Sequence, residues 1–377
     1  MQKRIRIVSI GIILIVLFIS ITLNNNTNNK HTFKKDGILY ALSLDGKSIT
    51  SFPSKGLYKA NVSCEGADGK WLYDDWKLAI ENITGDVSCD IKFETITKTY
   101  LNNYIIGLTG TTQGTGQVVN EKGYRYEGKN PNNYVWFNNE YWRIIGVFDS
   151  ASHGQSGKNL VKIIRADVLD GLAWHKSNTN DWTAASLNSL LNGAYYNAQD
   201  GTSSGYCYGY STTATANCDY TKKGIQSGYR SMIAKVTWYL GGYSSASATT
   251  ESFYGYERGT TVYSGRPTTT TGYIGLMYPS DYGYSVLSSS CARTTNLGSY
   301  NTATCAGQSW LYGKGYEWTI TPSSSSSGGV FSLSSSGGWN RNFANYGYGG
   351  RPVLYLDASV YKIDGEGTLD KPYIIGM

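Results

Sequence analysis

The sequence has little charge, little proline and almost no histidine. Only 16% of its 377 residues are charged, and the chain has 7 prolines and 3 histidines. The formal net charge is +6, and Lys3, Arg4 and Arg6 supply half of it in a segment without acids. The other lysines and arginines are scattered along the chain, whereas nucleic-acid-binding domains concentrate them in a basic patch. The composition therefore disfavours a nucleic acid as partner.

The scarcity of histidine also weighs against common catalytic and metal-binding arrangements. A Ser-His-Asp site needs a positioned histidine, yet His153 lies in the stretch SASHGQSG and His175 lies in a loop after Trp174. Both positions are typical of surface histidines. Zinc sites combine closely spaced cysteines with histidines, but neither these residues nor His31 lies near a cysteine in the sequence. The sequence therefore predicts no metal and no cofactor.

The acidic residues of the C-terminal two thirds show no spacing that selects a catalytic pair. Glycosidases place two carboxyl groups about 5–9.5 Å apart, and folding can bring together acids that are distant in sequence. A carboxylate-based hydrolase of cell-surface glycans therefore stays open as an alternative function. It would require two or more acids that converge in a pocket, with a raised pKa on at least one of them.

The longest apolar run stands at the N-terminus. Basic residues at positions 3, 4 and 6 precede apolar residues 7–23, and the polar residues Asn24–Thr27 follow without a small-residue cleavage site. This run reaches the lower end of the roughly 17–25 residues that span a bilayer. The sequence predicts an uncleaved signal anchor over residues 1–23, with the N-terminus cytoplasmic and the remainder extracellular. A cleaved signal peptide and a buried helix are the alternatives.

Six cysteines fall into three groups of two along the chain. An even number in an exported protein favours disulfides, and sequence alone allows 15 pairings of six cysteines. Because the two cysteines of each group lie within one segment, the grouping favours Cys64–Cys89, Cys207–Cys218 and Cys291–Cys305.

Patterning divides the rest of the chain into four parts. Residues 24–36 are polar and predict a flexible stalk. Residues 37–98 show short alternating apolar runs bounded by turn residues, which predict a small β-rich, sandwich-like module. Residues 99–129 are rich in Gly, Thr and Gln and predict a linker, and residues 130–377 form the main domain.

The main domain mixes strand and helix patterns. Asn138-Asn139 stands between two apolar runs and predicts a hairpin turn, while residues 160–164 predict a buried strand. Asp181 and Gly193 bracket leucines at helical spacing and predict a helix. The fold class expected from these patterns is α+β and β-rich.

The C-terminal part of the chain carries a resemblance. The pattern SW-x7-WTITPSSSSSGGVFSLSSSGGWNRNFANYGYGGRPVLYLDASV resembles exported bacterial domains with a C-type-lectin-like fold. That group is similar to the formylglycine-generating-enzyme superfamily and to retroelement-diversified variable proteins. The matching features are Trp318 with Pro322 and its serines, a strand near residues 330–333, an Asn/Tyr/Gly-rich loop, and Arg351-Pro352-Val353. The resemblance covers about residues 130–360. Residues 37–98 and the GEGTLDKPY tail are similar to accessory modules of Gram-positive surface proteins.

The chain departs from the active members of those families. Calcium-dependent lectins carry a Trp-Asn-Asp run, whereas Trp339-Asn340 is followed here by Arg341. Calcium needs several oxygen ligands, usually including carboxylates, and residues 323–349 contain no acid. The formylglycine-generating enzymes use a late reactive cysteine pair, whereas Cys291 and Cys305 precede the terminal loop. These departures favour a domain that has the fold without calcium or cysteine chemistry.

The segment GGWNRNFANYGYGG supplies the candidate site. Tyr and Trp give large contact area at low entropic cost, and Ser, Gly and Asn add adaptable hydrogen bonds, which is typical of recognition loops. The sequence predicts a non-enzymatic, adhesin-like or lectin-like surface protein that binds a glycan or a protein. The predicted contact residues are Trp339, Asn340, Arg341, Asn342, Asn345, Tyr346 and Tyr348. A structural envelope protein, with those rings packed inward, is the other alternative.

Overall fold

The computed structural model describes residues 15–16, 32–35, 38–245, 247–313 and 315–377, with the backbone alone for the first two ranges and for Asp170. The protein is β-rich, with 39% strand and 15% helix. It divides into two compact units, Met1–Lys98 and Thr99–Met377. The predicted anchor and stalk lie outside the described residues except for those first two short ranges. In the part of the chain described, no helix is long and apolar enough to span a bilayer.

The first unit consists of two small sheets. Its strands are β1 (Ile15–Val16), β2 (Thr32–Lys35), β3 (Ile38–Leu44), β4 (Lys47–Ser48), β5 (Tyr58–Glu65), β6 (Asp68–Leu72), β7 (Lys77–Glu81) and β8 (Val87–Thr95). The sheet orders are β2-β3-β8-β5, with β4 on β3, and β1-β7-β6. Alternate residues of β8 point into the core, as the two-residue period of a strand requires. Cys64 and Cys89 lie directly opposite each other on β5 and β8 and form the predicted disulfide.

The first half of the second unit covers residues 99–214. They are β9 (Thr99–Tyr100), α1 (Leu101–Gly107), β10 (Thr112–Gln113), β11 (Thr115–Asn120), β12 (Tyr124–Asn130), β13 (Tyr134–Phe137), β14 (Glu140–Phe148), α2 (Ser150–His153), β15 (Leu160–Arg165), β16 (Leu169–Ala173), α3 (Ser186–Leu190), β17 (Tyr208–Tyr210) and β18 (Thr213–Ala214). A 3-10 turn over Trp182–Ala184 precedes α3, and a π-helical turn over Leu191–Tyr195 follows it.

The remaining elements complete the two sheets of this unit. They are β19 (Val236–Tyr239), α4 (Thr250–Glu257), β20 (Thr269–Gly272), β21 (Ile274–Gly275), α5 (Pro279–Ser285), β22 (Glu317–Pro322), β23 (Gly329–Leu333), β24 (Trp339–Phe343), β25 (Gly347–Gly350), β26 (Val353–Leu356), β27 (Tyr361–Asp364) and β28 (Tyr373–Gly376). Further 3-10 turns cover Ser227–Met232, Leu297–Ser299 and Ala306–Gln308.

An 11-stranded sheet forms the body of the second unit. Its path runs β10-β11-β12-β14-β13-β28-β27-β9, and β15 joins β14 to β26, which also pairs with β21. The predicted hairpin is present as β13–β14, with Asn138 and Asn139 both at a φ of 59°. Asparagine tolerates this left-handed conformation better than most residues. All six residues of β15 are buried, which agrees with the apolar strand expected at 160–164.

Residues 99–129, which the sequence predicts as a linker, hold α1, β10, β11 and most of β12. Leu101, Ile105, Val118 and Tyr126 belong to the core of the second unit. The unit therefore begins at Thr99 rather than at residue 130. Turns at Gly110 and Gly114, both at positive φ, keep these strands short, so their apolar residues are too few to produce a clear period.

The helix expected between Asp181 and Gly193 is divided into three short pieces. The carboxylate of Asp181 accepts from the Thr183 amide, as expected of an N-cap, but it caps only the 3-10 turn. Ala185 has extended backbone dihedrals, so the chain restarts as α3 and then widens into the π-helical turn. Tertiary packing of the buried leucines overrides a continuous helix here.

A five-stranded sheet carries the C-terminal segment. Its order is β16-β25-β22-β23-β24, with β22 and β25 parallel and the other pairs antiparallel. The predicted disulfides of this unit, Cys207–Cys218 and Cys291–Cys305, are both present. The three disulfides are consistent with an extracellular protein.

Candidate ligand-binding surface

The predicted contact segment folds into two strands, β24 and β25, with a turn between them. Trp339, at the start of β24, is only 2% exposed. Its ring stacks on that of Tyr282, with centroids 5.7 Å apart and an interplanar angle of 4°. Trp339 is thus a core residue and does not reach the surface as a contact loop would require.

The polar residues of β24 divide between solvent and intramolecular bonds. Asn340 is exposed. The guanidinium of Arg341 donates to Ser325 Oγ at 2.8 Å and to the Ser244 carbonyl at 3.3 Å. Asn342 donates from Nδ2 to Ser332 Oγ at 2.7 Å. Arg341 and Asn342 therefore hold neighbouring strands and serine loops in place.

Four tyrosines form a continuous row of ring contacts beside this turn, which we call the tyrosine row. The centroids of Tyr210 and Tyr346 are 5.8 Å apart, those of Tyr346 and Tyr348 are 6.1 Å apart, and those of Tyr348 and Tyr316 are 4.8 Å apart. Phe343 meets Tyr346 edge-on at 5.8 Å. Tyr210 is 55%, Phe343 50% and Tyr316 42% exposed, so the row presents aromatic rings to solvent.

The row combines residues from three separate parts of the sequence. Tyr346 and Tyr348 belong to the predicted site, and sequence reasoning missed Tyr210, Tyr316 and Phe343. Phe343 lies inside the quoted segment and its aromatic side chain could have been included. The other two come from a hairpin and a loop that sequence spacing does not connect to this turn.

A short disulfide-closed hairpin places Tyr210 beside Tyr346. The hairpin consists of β17 and β18, and Cys207–Cys218 closes it. The Ser211 amide donates to the Asn345 carbonyl at 2.7 Å, which ties the hairpin to the turn between β24 and β25. Asn345, a predicted contact residue, is half-buried and contributes to this junction through its backbone.

Glycine permits the close approach of the hairpin to β25. A Cβ added at Gly347 would lie 2.0 Å from the carbonyl oxygen of Gly209. Only a residue without a side chain fits such a backbone contact. Gly347 therefore sets the distance between the hairpin and the strand that carries Tyr348.

The other end of the tyrosine row rests on the core. Tyr348 packs on Trp318 with centroids 4.7 Å apart, and the Trp318 indole donates to the Leu172 carbonyl at 2.9 Å. Glu317 on β22 and Arg351, directly after β25, form a buried ion pair at 2.6 Å, and Arg351 also donates to the Leu311 carbonyl. Trp318 and Arg351 are therefore buried residues with structural contacts.

The surface is aromatic and nearly uncharged. Burial, followed by the neighbouring rings of Tyr316 and Tyr346, raises the pKa of Tyr348, so this phenol stays neutral at physiological pH. The ammonium of Lys176 lies 5.3 Å from the ring centroid of the nearby Tyr208. The arrangement offers ring faces, phenol hydroxyls and a cation near its edge.

Both histidines of the second unit are buried, which contradicts the surface positions predicted from sequence. His153 is fully buried, with Nε2 3.1 Å from the Phe148 carbonyl, and Nδ1 accepts from the Gln155 amide. His175 Nδ1 accepts from the Ser177 amide. Burial lowers the pKa of both rings, so they are neutral at pH 7 and act as local hydrogen-bonding groups.

Folding does bring two distant acids together, Glu257 on α4 and Asp281 on α5. Burial raises the pKa of Glu257 to about 7, which partly meets the requirement set above for a carboxylate-based hydrolase. Both carboxyl groups are nevertheless completely buried and engaged, Asp281 with Arg125 and Lys162, and Glu257 with Ser280. A surface glycan does not reach such a pair without opening the core.

In the described ranges no three His, Cys, Asp or Glu side chains are grouped so that they could hold an ion. All six cysteines are joined in disulfides.

Comparison with known proteins identifies no relative. No protein-family model matches the chain, and no curated protein or solved structure matches it either. The functional argument consequently depends on the geometry of the tyrosine row alone.

Proposed function

We propose that this chain is a non-enzymatic recognition protein of the cell surface that binds a glycan or a protein through the tyrosine row. In this proposal residues 99–377 form a C-type-lectin-like domain, and residues 1–23 anchor the chain in the membrane with the remainder outside. The single observation that carries it is the group of exposed rings, Tyr210, Tyr316 and Phe343, ranged along Tyr346 and Tyr348.

Tyrosine rings suit recognition because they bring large contact area with few rotatable bonds. Apolar C–H surfaces of a sugar, or apolar side chains of a protein, pack on the ring faces, while phenol hydroxyls form hydrogen bonds. The rings of the row already contact one another, so binding orders few side chains. These properties support recognition without any catalytic group.

Exposure separates this proposal from that of a structural envelope protein. A purely structural role predicts that the aromatic residues of the segment pack inward, as Trp339 does. Two members of the tyrosine row, Tyr210 and Tyr316, and the adjoining Phe343 are instead exposed within one connected group of rings. Connected exposed aromatic residues are typical of interaction sites, whereas isolated ones are normal on any surface.

The test compares binding by the full-length protein, solubilised in detergent, with binding by two variants. The ligands are arrays of glycans and of bacterial and host surface proteins. We expect Tyr210→Ala/Tyr346→Ala to lose binding at an unchanged melting temperature. Tyr141→Ala, which removes an exposed tyrosine on β14 outside the row, should bind like wild type. Binding that survives the double substitution, or no binding by the wild type, would refute the proposal.

A further inference from the structure

A lysine and an aspartate meet in the interior of the second unit. Lys162 on β15 and Asp281 on α5 are each 1% exposed, and Lys162 Nζ lies 2.5 Å from Asp281 Oδ2. The two residues are 119 positions apart in sequence. Arg125 Nη1 donates to the other carboxyl oxygen, Oδ1, at 3.0 Å.

Aromatic rings surround the lysine amine. The rings of Tyr278, Tyr355, Phe148 and Trp238 have centroids 4.5, 5.6, 5.7 and 5.8 Å from Nζ. Burial in this apolar environment lowers the pKa of Lys162 to about 8, although Asp281 opposes the shift. A larger fraction of Lys162 is therefore in the neutral, nucleophilic amine form near pH 7 than for a lysine in water.

The carboxyl group of Asp281 has a hydrogen-bond donor on each oxygen. Oδ1 accepts from Arg125 Nη1, and Oδ2 accepts from the Tyr278 amide at 2.9 Å. Fixed donors of this kind stabilise the negative charge that develops on oxygen when a nucleophile attacks a carboxyl carbon. If Oδ1 remains after such an attack, Arg125 still donates to it, and if Oδ2 remains, the Tyr278 amide does.

A second buried carboxyl group accompanies the pair. Glu257 Oε1 accepts from the Ser280 amide at 2.8 Å and Oε2 accepts from the Ser280 hydroxyl, which places this carboxyl beside the residue that precedes Asp281. Its raised pKa means that a proton can occupy this carboxyl near neutral pH. Arg258 Nη1 also lies 3.2 Å from Glu257 Oε2. Although burial alone would raise it, Lys162 and Arg125 hold the pKa of Asp281 below its usual value, so Glu257 is the carboxyl of this cluster that holds a proton more readily.

We propose that Lys162 and Asp281 condense into an intramolecular amide bond. The ammonium of Lys162 first passes one proton to Asp281 Oδ2, and the lone pair of the resulting amine attacks Asp281 Cγ. A C–N bond forms and the C–O bond to the protonated oxygen breaks. That oxygen leaves as water with the transferred proton and a second proton from the amine, so that R–NH3⁺ and ⁻O2C–R′ become R–NH–CO–R′ and H2O. No atom is oxidised or reduced, and no co-reactant is needed.

Three physical features favour the bond over a buried ion pair. Desolvating two ions costs several kcal/mol each, and condensation removes the charges of Lys162 and Asp281. The guanidinium of Arg125 then retains the amide oxygen as acceptor and the rings of Phe148 and Tyr284, 4.5 and 4.7 Å away, which offset the loss of its carboxylate partner. Positioned groups react with effective molarities of about 10⁵–10⁸ M, which offsets the slow condensation of free amines and carboxylates. Water is excluded from the site, so hydrolysis of the product is disfavoured. The bond would fasten α5 to the central strand β15.

The test is the intact mass of the full-length protein after its disulfides have been reduced and alkylated. We expect a mass below the calculated value by one water, about 18 Da. The variant Lys162→Arg should have its full calculated mass. Lys371→Arg, which changes a lysine in an exposed ion pair with Glu366, should retain the deficit.

Peptide mapping of the wild type keeps the proposal testable even if Lys162→Arg does not fold. Digestion of the denatured protein should yield one branched peptide that joins the sequences around Lys162 and Asp281. A wild-type mass equal to the calculated value would overturn the proposal. So would a deficit that persists in Lys162→Arg or that maps to any other pair of residues.

Discussion

The contact between Gly347 and Gly209 gives the most specific test of how the tyrosine row is built. We consider the variant Gly347→Ala, because an added Cβ would lie 2.0 Å from the Gly209 carbonyl oxygen and the neighbouring atoms are backbone. Gly347 is not among the glycines at positive φ, so alanine adopts the same dihedrals without strain. The substitution therefore acts directly through the steric contact with Gly209.

The size of the effect follows from that distance. Cβ atoms essentially never approach another atom closer than 3.0 Å, so the hairpin must move by about 1 Å in a well-packed environment. Overpacking of this kind costs about 1–3 kcal/mol. The movement also weakens the hydrogen bond from the Ser211 amide to the Asn345 carbonyl, a further contribution of about 1 kcal/mol.

Hydrogen exchange of the Ser211 amide measures this prediction without knowledge of the ligand. Losing about 1.4 kcal/mol of local stability lowers protection tenfold, and we expect at least that loss in Gly347→Ala. Gly255→Ala is the control, because a Cβ at this position in α4 meets nothing within 4 Å and alanine favours a helix. Unchanged Ser211 protection in Gly347→Ala would refute the reasoning that this glycine sets the position of the hairpin.

Three other predictions concern stability. Replacing Cys207 and Cys218 by alanine should lower the free energy of unfolding by up to about 3 kcal/mol in urea titration; an unchanged value would contradict the disulfide. Glu257 has its pKa raised to about 7, so its stabilising contribution is present at low pH and is lost as the pH rises through about 7. As the pH is raised from 4.5 to 8, the free energy of unfolding of Glu257→Gln should therefore rise by roughly 3 kcal/mol relative to that of the wild type. Parallel pH profiles of the two proteins would contradict the raised pKa. Arg351→Met should lose about 3–5 kcal/mol, because it leaves Glu317 charged and buried, and Arg351→Met/Glu317→Leu should recover most of it; equal losses in the two variants would contradict this.

Local patterns in the sequence predicted the local parts of this fold. The three disulfides join cysteines at most 25 residues apart, so their grouping was sufficient to pair them. The β13–β14 hairpin depends on two asparagines at its turn, and the strand β15 depends on a continuous apolar run. Each of these features has its cause within a few residues of itself.

The parts that sequence did not predict depend on distant partners. Tyr210 reaches the site because Ser211 bonds to Asn345, and no spacing indicates that contact. The sequence also placed Trp339 among the contact residues, whereas its ring packs on Tyr282. Composition identifies an aromatic segment but does not determine which ring turns inward, because that depends on which face of β24 the core covers.

The base of the tyrosine row explains why such a surface stays exposed instead of collapsing into the protein. Tyr348 packs on Trp318, whose indole donates to the Leu172 carbonyl. The ion pair of Glu317 and Arg351 joins the residue before Trp318 to the residue that follows β25. Because Tyr348 already packs on Trp318, its ring would lose little conformational freedom on binding, and more of the contact energy would contribute to affinity. Under the proposed function, Trp318 would be a positioning residue, because it is buried and packs against Tyr348. Its replacement should weaken binding by releasing Tyr348, whereas truncation of the half-exposed Phe343 should weaken binding only through lost contact area.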